Sequence, residues 1–301
     1  MKTRPLESGD APPRLNLVGA GSVGCTLFRL FAASNKFAVQ DIYGRDETRV
    51  AQAVSFIGGG EARTSLSAMR PADVWFMTVP DRMIMPVARE IASEALSSPA
   101  IAVHCSGFLP ASELSPLSRL GWGVASAHPV MTFADKEAAV DGFPGTFCGM
   151  EGDRCAVDRV AAILAAIGAK PFAIKPGSKT LYHAAAVLSN NLAVVLQAVA
   201  REAWAEAGVP DEISPMLNAA LLSSTVKNVT TMGPAAALSG PASRGDWSVV
   251  EQQAQALDQW HPDAGRAYRS LSVMAGRLKQ TGSTLQSEGY DPTRRVSAEP
   301  T

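Results

Sequence analysis

The sequence predicts an α/β chain: an N-terminal parallel sheet with helices on both faces, followed by an all-helical domain. Three observations predict it. Short apolar runs alternate with helical patterns through the first half, as βαβ units do. A glycine-rich segment stands between the first such run and the first helix. From Arg154 onward the pattern turns almost wholly helical. A length of 301 residues suits two domains.

The elements follow in order. Arg14–Val18 reads as a strand and Ser22–Ser34 as a helix. Phe37–Tyr43 is a second strand, and a helix follows near Glu47–Ile57. Val74–Val79 and Ala100–Cys105 are further strands, with a helix near Met83–Ala95 between them. Gly123–Ala127 and Phe143–Met150 read as later strands. Arg154–Ile167 is a helix stopped by Gly168, and Pro171–Ile174 is a short strand. Helices are expected over 178–207, 211–231, 246–259 and 263–280. Pro176-Gly177 interrupts the chain, so a sheet domain is expected over 14–175 and a helical substrate and dimerisation domain over 176–280. Residues 1–13 and 281–301 are polar and rich in Pro, Ser, Thr and charge. They are expected to be a disordered N-terminus and a flexible tail.

Composition removes several classes of function. A net charge of -1 gives no electrostatic footprint for nucleic acid, and no basic tract marks a membrane surface. The most apolar long run, residues 181–200, carries His183, Asn190, Asn191 and Gln197. A lipid-facing span would have to satisfy all four, so a buried helix of a soluble protein is expected. The first residues lack the apolar core of a signal peptide. Cys25, Cys105, Cys148 and Cys155 form no C-x-x-C pair and suit free thiols in a reducing cytoplasm. His104, His128, His183 and His261 are scattered, and no metal site is expected.

The glycines carry the first chemistry. Gly19-Ala20-Gly21-Ser22-Val23-Gly24 is G-x-G-x-x-G between a strand and a helix. The first glycine permits a tight turn, the second lets a pyrophosphate approach the backbone, and the third lets the helix press on the strand. The free N–H groups of the helix N-terminus favour phosphate. A Rossmann-like dinucleotide site is therefore expected at these six residues. An NAD site usually places Asp or Glu at the tip of the second strand. Here that strand ends Ile42-Tyr43-Gly44-Arg45, with Asp41 too early and Asp46 beyond the arginine. Arg45, with Arg49 a turn further on, suits a 2′-phosphate, so NADP(H) is expected over NAD(H). Later strand ends add Val79, Pro80, Ser106 and Gly107 to the cofactor cleft. Asp81 fits either a helix cap or the cleft, and His104 reads as a packed histidine.

A second constellation opens the long helix. Lys179, His183, Ala186 and Asn190 fall on one helical face. Such a polar stripe on an apolar helix either bonds within a core or lines a cleft. A third patch, Leu238 to Asp246, contains Gly-Pro and Arg-Gly-Asp turns. In it Arg244 and Asp246 suit a mutual pair, Asp246 a cap for the helix that follows, and Arg244 an anionic ligand.

Four stretches together resemble a known bacterial family: HCSGFLPASELSPL (104–117), ASAHPVMTF (125–133), LYHAAAVLSNNL (181–192), and TVKNV with LSGPASRGD (225–229 and 238–246). The family joins a Rossmann-like NADP-binding domain to a helical domain of unknown function (the domain-of-unknown-function 2520 family of NADP oxidoreductases). The resemblance runs over roughly residues 14–260. The family is in turn similar to pyrroline-5-carboxylate reductases and β-hydroxyacid dehydrogenases. That similarity implies a helical domain like the C-terminal domain of 6-phosphogluconate dehydrogenase relatives, a homodimer through it, and an active site between the two domains. In the hydroxyacid enzymes a lysine and an asparagine stand on the first long helix after the sheet. Lys179 matches the lysine, but His183 stands where the asparagine would be.

The resulting expectation is an NADPH-dependent reductase of a small carbonyl or imine substrate, such as a ketoacid, with ketopantoate a candidate by analogy. The nicotinamide is expected near Ser106 and Gly107. His183, with Lys179 as the alternative, protonates the nascent oxygen or nitrogen, since an imidazole titrates near neutrality. Asn190 orients the substrate, His128 and Thr132 contact it, and Arg244 binds its carboxylate. A non-catalytic dinucleotide sensor is the rival reading, and a deazaflavin the rival cofactor.

Overall fold

The computed structural model describes residues 11–94 and 99–286. Residues 1–10 and 287–301, most of the expected loose ends, lie outside the described residues. Within them, tertiary contacts divide the chain into two units, up to Leu188 and from Ser189.

The first unit is an eight-stranded sheet. Its strands are β1 (Arg14–Val18), β2 (Ala38–Tyr43), β3 (Glu61–Arg63), β4 (Val74–Met77), β5 (Ile101–His104), β6 (Gly123–Pro129), β7 (Phe147–Gly152) and β8 (Lys170–Ala173). They lie in the order β3-β2-β1-β4-β5-β6-β7-β8. The helices are α1 (Ser22–Ser34), α2 (Glu47–Ile57), α3 (Asp81–Ser93), α4 (Ser115–Ser118), α5 (Lys136–Gly142), α6 (Arg154–Ala165) and α7 (Lys179–Ser189). All ladders are parallel except β6–β7. The Rossmann-like order reverses between β1 and β4, and such a switch point opens a crevice at the carboxyl ends of the strands.

The central strands are apolar throughout because both faces are covered. On β4, Val74 and Phe76 enter a core with Leu15, Leu17, Phe28, Phe31 and Val103. Trp75 and Met77 enter the opposite core with Val18, Ile84, Ile91 and Trp122. The rings of Phe28 and Phe31 meet Phe76 edge-on or tilted, with centroids 5.6 Å and 5.3 Å away.

Three features differ from the sequence expectation. β7 is antiparallel, because the α5 hairpin-like return brings the chain back beside β6 without a crossover. The three-residue β3 and seven-residue α5 were too short to show a period. The helix expected over 178–207 is interrupted by a turn at Asn190, whose φ of -117° and ψ of -70° depart from ideal helix values. The two compact units divide next to that turn, between Leu188 and Ser189, so that nearly all of α7 belongs to the first. The physical reason is that α7 is anchored to the sheet, as its Lys179 and Tyr182 contacts show.

The second unit is helical: α8 (Asn191–Glu206), α9 (Ser214–Met232), α10 (Pro234–Ala237), α11 (Pro241–Arg244), α12 (Trp247–Trp260) and α13 (Pro262–Thr281). Arg269 ties α13 to α12 through Glu251 and Asp258, at 3.1 Å and 2.7 Å. Residues 179–206 are long and apolar enough, by length and composition, to cross a membrane. The expectation of a buried helix there is corrected: α8 has no buried residue in this chain, and Leu192, Val194, Val195 and Leu196 are exposed.

Candidate functional site

The glycine loop follows β1 at the switch point. Gly19 has a φ of 103°, a left-handed value that side chains resist. A Cβ there would also lie 2.9 Å from the Thr78 and Val79 backbone. At Gly24 a Cβ would overlap Thr78 Oγ1 and come within 2.7 Å of Leu17 Cδ1. Thr78 Oγ1 donates to the Gly19 carbonyl at 2.6 Å, locking the turn to the end of β4. Gly21 is different. Its φ is -82°, and a Cβ there meets only the Thr78 carbonyl oxygen, at an ordinary 3.6 Å. Internal packing requires Gly19 and Gly24 but not Gly21. Gly21 is also the N-cap of α1, and no side chain caps the helix there. The N–H groups of Ser22 and Val23 thus stand in an uncapped first turn, which carries a partial positive charge.

At the tip of β2, both nearby carboxylates are engaged. Asp41 is fully buried; it accepts from Arg70 Nη2 at 2.7 Å, Arg70 N at 2.7 Å and Arg63 Nε at 3.1 Å. Asp46 caps α2 by accepting from Arg49 N at 3.0 Å, and its other oxygen lies 3.8 Å from Arg49 Nε. Arg45 is exposed and makes no hydrogen bond or ion pair among the described residues.

At the carboxyl end of β5, Ser106 is buried and its hydroxyl is fully employed. It donates to Asp81 Oδ2 at 2.9 Å and accepts from Phe108 N at 3.1 Å and Leu109 N at 2.9 Å. The Ser106 hydroxyl is thus occupied within the fold, and the Asp81 side chain does not cap α3 but accepts from Ser106. His104 is buried and packed: Nδ1 accepts from Ser106 N at 3.2 Å, and Nε2 lies 3.0 Å from the Pro110 carbonyl. Burial pulls its pKa down to about 4.

Lys179, 2% exposed, donates from Nζ to the Ser106 carbonyl oxygen at 2.7 Å. Burial lowers its pKa below the usual lysine value. It serves as a clamp between α7 and the β5 loop. One helical turn on, His183 turns Nδ1 toward Gly107; that nitrogen is buried and has no hydrogen-bond partner. A Cβ on Gly107 would lie 2.5 Å from His183 Nδ1 and 2.8 Å from His128 Nε2. The two imidazoles therefore converge on the Gly107 backbone, with ring centroids 5.7 Å apart. His128 Nδ1 in turn lies 3.0 Å from Tyr182 Oη. Burial is the main reason the His128 pKa falls to about 4 and the Tyr182 pKa rises to about 12.

The structure thus joins Ser106, Gly107, His128, Lys179 and His183 in one cluster. Asn190 is exposed at the N-cap of α8 and belongs to the second unit. Thr132 is exposed on the loop after β6 and carries no hydrogen bond among the described residues. Arg244 lies in the second unit, where its Nε donates to Asp246 Oδ2 at 3.1 Å; the Asp246 side chain does not cap α12. Val79 flanks Gly19, and Pro80 is the exposed N-cap of α3.

Sequence reasoning missed Tyr182 and Gly149. Gly149 pairs with His128 across β6–β7, and a Cβ on it would lie 2.6 Å from Tyr182 Oη. An isolated glycine inside a strand was the available signal, since it often marks a close approach.

Among the described residues no group of His, Cys, Asp and Glu is placed to hold a metal ion. The cysteines are unpaired, and burial pushes the Cys105 thiol up to about 12, so it stays protonated.

Residues 146–274 match a family model described as a domain of unknown function, DUF2520. No curated protein matches the sequence. Among solved structures, protein TM1727 from Thermotoga maritima is 28% identical with a TM-score of 0.71, covering 89% of this chain and 99% of that one. BF3122 from Bacteroides fragilis, provisionally named an NADP oxidoreductase, is 22% identical with a TM-score of 0.66, covering 88% and 98%. An imine reductase from Myxococcus stipitatus in complex with NADP+ is 16% identical with a TM-score of 0.63, covering 90% and 96%; this likeness is one of fold. Residues 146–274, which run from β7 into α13, are thus similar to the DUF2520 family, and the strand order of the sheet is Rossmann-like.

Proposed function

We propose that this protein is an NADP(H)-dependent reductase of a small carbonyl or imine compound. One observation carries the reading: Gly21 is a glycine that the protein's own packing does not require, set at an uncapped helix N-terminus at the sheet's switch point. A residue without a side chain at that place suits a pyrophosphate lying on the backbone. Solved structures of the same fold whose names include NADP, among them the imine reductase complex, support the reading.

Arg45 would hold the 2′-phosphate, because Asp41 and Asp46 are committed elsewhere and Arg45 is not. A nicotinamide dinucleotide would supply the hydride. The chain supplies the remainder at the end of β5. Lys179 holds the Ser106–Gly107 turn through the Ser106 carbonyl, and His183 stands over Gly107 as the proton donor to the reduced oxygen or nitrogen. His128 faces the same point and would contact the substrate.

The helical unit would pair with a second copy. On its α9, Met216, Leu221, Val226 and Met232 are more than half exposed. An apolar cavity of about 710 Å³ beside α8 and α13, lined in part by Val195, Val199 and Leu271, adds to that surface. Apolar surface on this scale marks an interface. The four free cysteines suit a reducing compartment such as the cytoplasm.

The test is binding of NADPH and NADH followed by fluorescence, then NADPH oxidation with a panel of α-ketoacids and cyclic imines. Tight NADPH binding with turnover of one panel member is expected. Indifference to both nucleotides would end the reading, and binding without any turnover would favour a sensor.

A further inference from the structure

Tyr182, His128 and His183 form a line of three polar rings that two glycines make room for. Gly149 clears the place of the Tyr182 hydroxyl, and Gly107 clears the place on which the two imidazoles converge. Tyr182 is fixed on three sides. Its ring meets Phe172 at 6.2 Å and His128 at 5.7 Å, and Lys179 Nζ lies 5.6 Å from its centroid. Such a ring is not free to swing its hydroxyl elsewhere.

We infer that Tyr182 is a positioning residue: its O–H donates to His128 Nδ1, fixing His128 as the Nε2–H tautomer and aiming that N–H at the Gly107 backbone beside His183 Nδ1. The argument is one of satisfied donors. A phenol has one proton to give, and His128 Nδ1, at 3.0 Å, is the partner of Tyr182 Oη among the described residues. Were Nδ1 protonated, the phenol O–H would lose its acceptor, and leaving a donor unmade in a partly buried place is unfavourable. Burial keeps Tyr182 protonated and His128 uncharged near neutrality, so both groups hold these roles without titrating.

The consequence is a pair of unlike nitrogens over one point. His128 Nε2–H is a neutral hydrogen-bond donor fixed from behind. His183 Nδ1 is buried and unpartnered. Together they suit a single electronegative atom, a carbonyl oxygen or an imine nitrogen, which His128 would polarise while His183 handles the proton. That use of the N–H rests on the reductase reading. The hydrogen-bond arrangement does not, and the experiment below needs neither cofactor nor substrate, so the two can fail separately.

The test is long-range 1H–15N NMR of the protein labelled at the histidine ring nitrogens, with His128 signals assigned by loss in His128→Gln. Wild type is expected to show His128 with a protonated Nε2 and a bare Nδ1. Tyr182→Phe removes only the hydroxyl and is expected to lower the Nε2–H to Nδ1–H ratio by roughly fivefold, the worth of one net hydrogen bond. Gly149→Ala keeps the phenol but displaces it, and is expected to lower the ratio in the same direction. A protonated Nδ1 at His128 in wild type overturns the inference, whether or not the variants fold. So does an unchanged ratio in whichever variants retain the wild-type circular dichroism spectrum.

Discussion

Lys179 and Ser106 are 73 positions apart, yet the lysine ammonium donates to the serine carbonyl oxygen at 2.7 Å inside the first unit. The bond joins the first turn of α7 to the loop after β5, and the Ser106 hydroxyl extends the same knot to Asp81. Lys179→Ala should therefore lower stability by about 1–3 kcal/mol, since it strips a buried carbonyl of its strongest donor. Urea unfolding of the variant checks this, and unchanged stability would count against the clamp.

Two of the loop glycines should separate in their effects. Gly24→Ala must push against Leu17 and Thr78, and is expected to cost about 1–3 kcal/mol of stability. Gly21→Ala should leave the melting temperature nearly unchanged and weaken NADPH binding by roughly tenfold or more, about 1.4 kcal/mol per tenfold. Thermal melts beside fluorescence titrations measure both.

Arg45→Ala should narrow the preference for NADPH over NADH by roughly tenfold, the scale of one charge-assisted hydrogen bond to phosphate. Stability should not move, because the side chain is exposed and unpaired among the described residues. Equal losses for the two nucleotides would remove Arg45 from the 2′-phosphate.

His104 is held neutral, with a pKa near 4 against an ordinary 6.5. Between those values the unfolded chain binds more protons than the native one, so stability rises with pH through the window. Falling pH from 6.5 to 4 should cost roughly 3 kcal/mol through this one fully buried residue, at about 1.4 kcal/mol per pH unit. Urea midpoints at pH 7, 6 and 5 test the sign, and His104→Gln should flatten part of the slope. His128 adds to the decline in the same direction.

Leu221→Lys, on the uncovered side of α9, should convert a dimer into monomers without loss of helix content. Sedimentation velocity of the two proteins decides it. A monomeric wild type would leave the apolar surface of the helical unit to another partner.

The sheet and the glycine loop were legible because each is a local pattern. The runs around Leu15, Phe76 and Val103 are apolar since both faces are buried, and the G-x-G-x-x-G spacing sits where a strand meets a helix. Asn190 shows the limit. Its spacing from His183 predicts one continuous helical face, but a turn at Asn190 itself ends α7 and starts α8. β7 shows another: an apolar run carries no sign of its direction, and the α5 return decided that.

By itself, then, the chain determined the longer strands and helices and the place of the glycine turn between β1 and α1, because those depend on neighbours within a few residues. Tertiary structure alone decided which polar groups meet. Lys179 is used up on Ser106, and Tyr182 reaches His128 through the room left by Gly149. Those pairings depend on the register of β6 with β7 and on how α7 lies against the sheet, and no local period encodes either one.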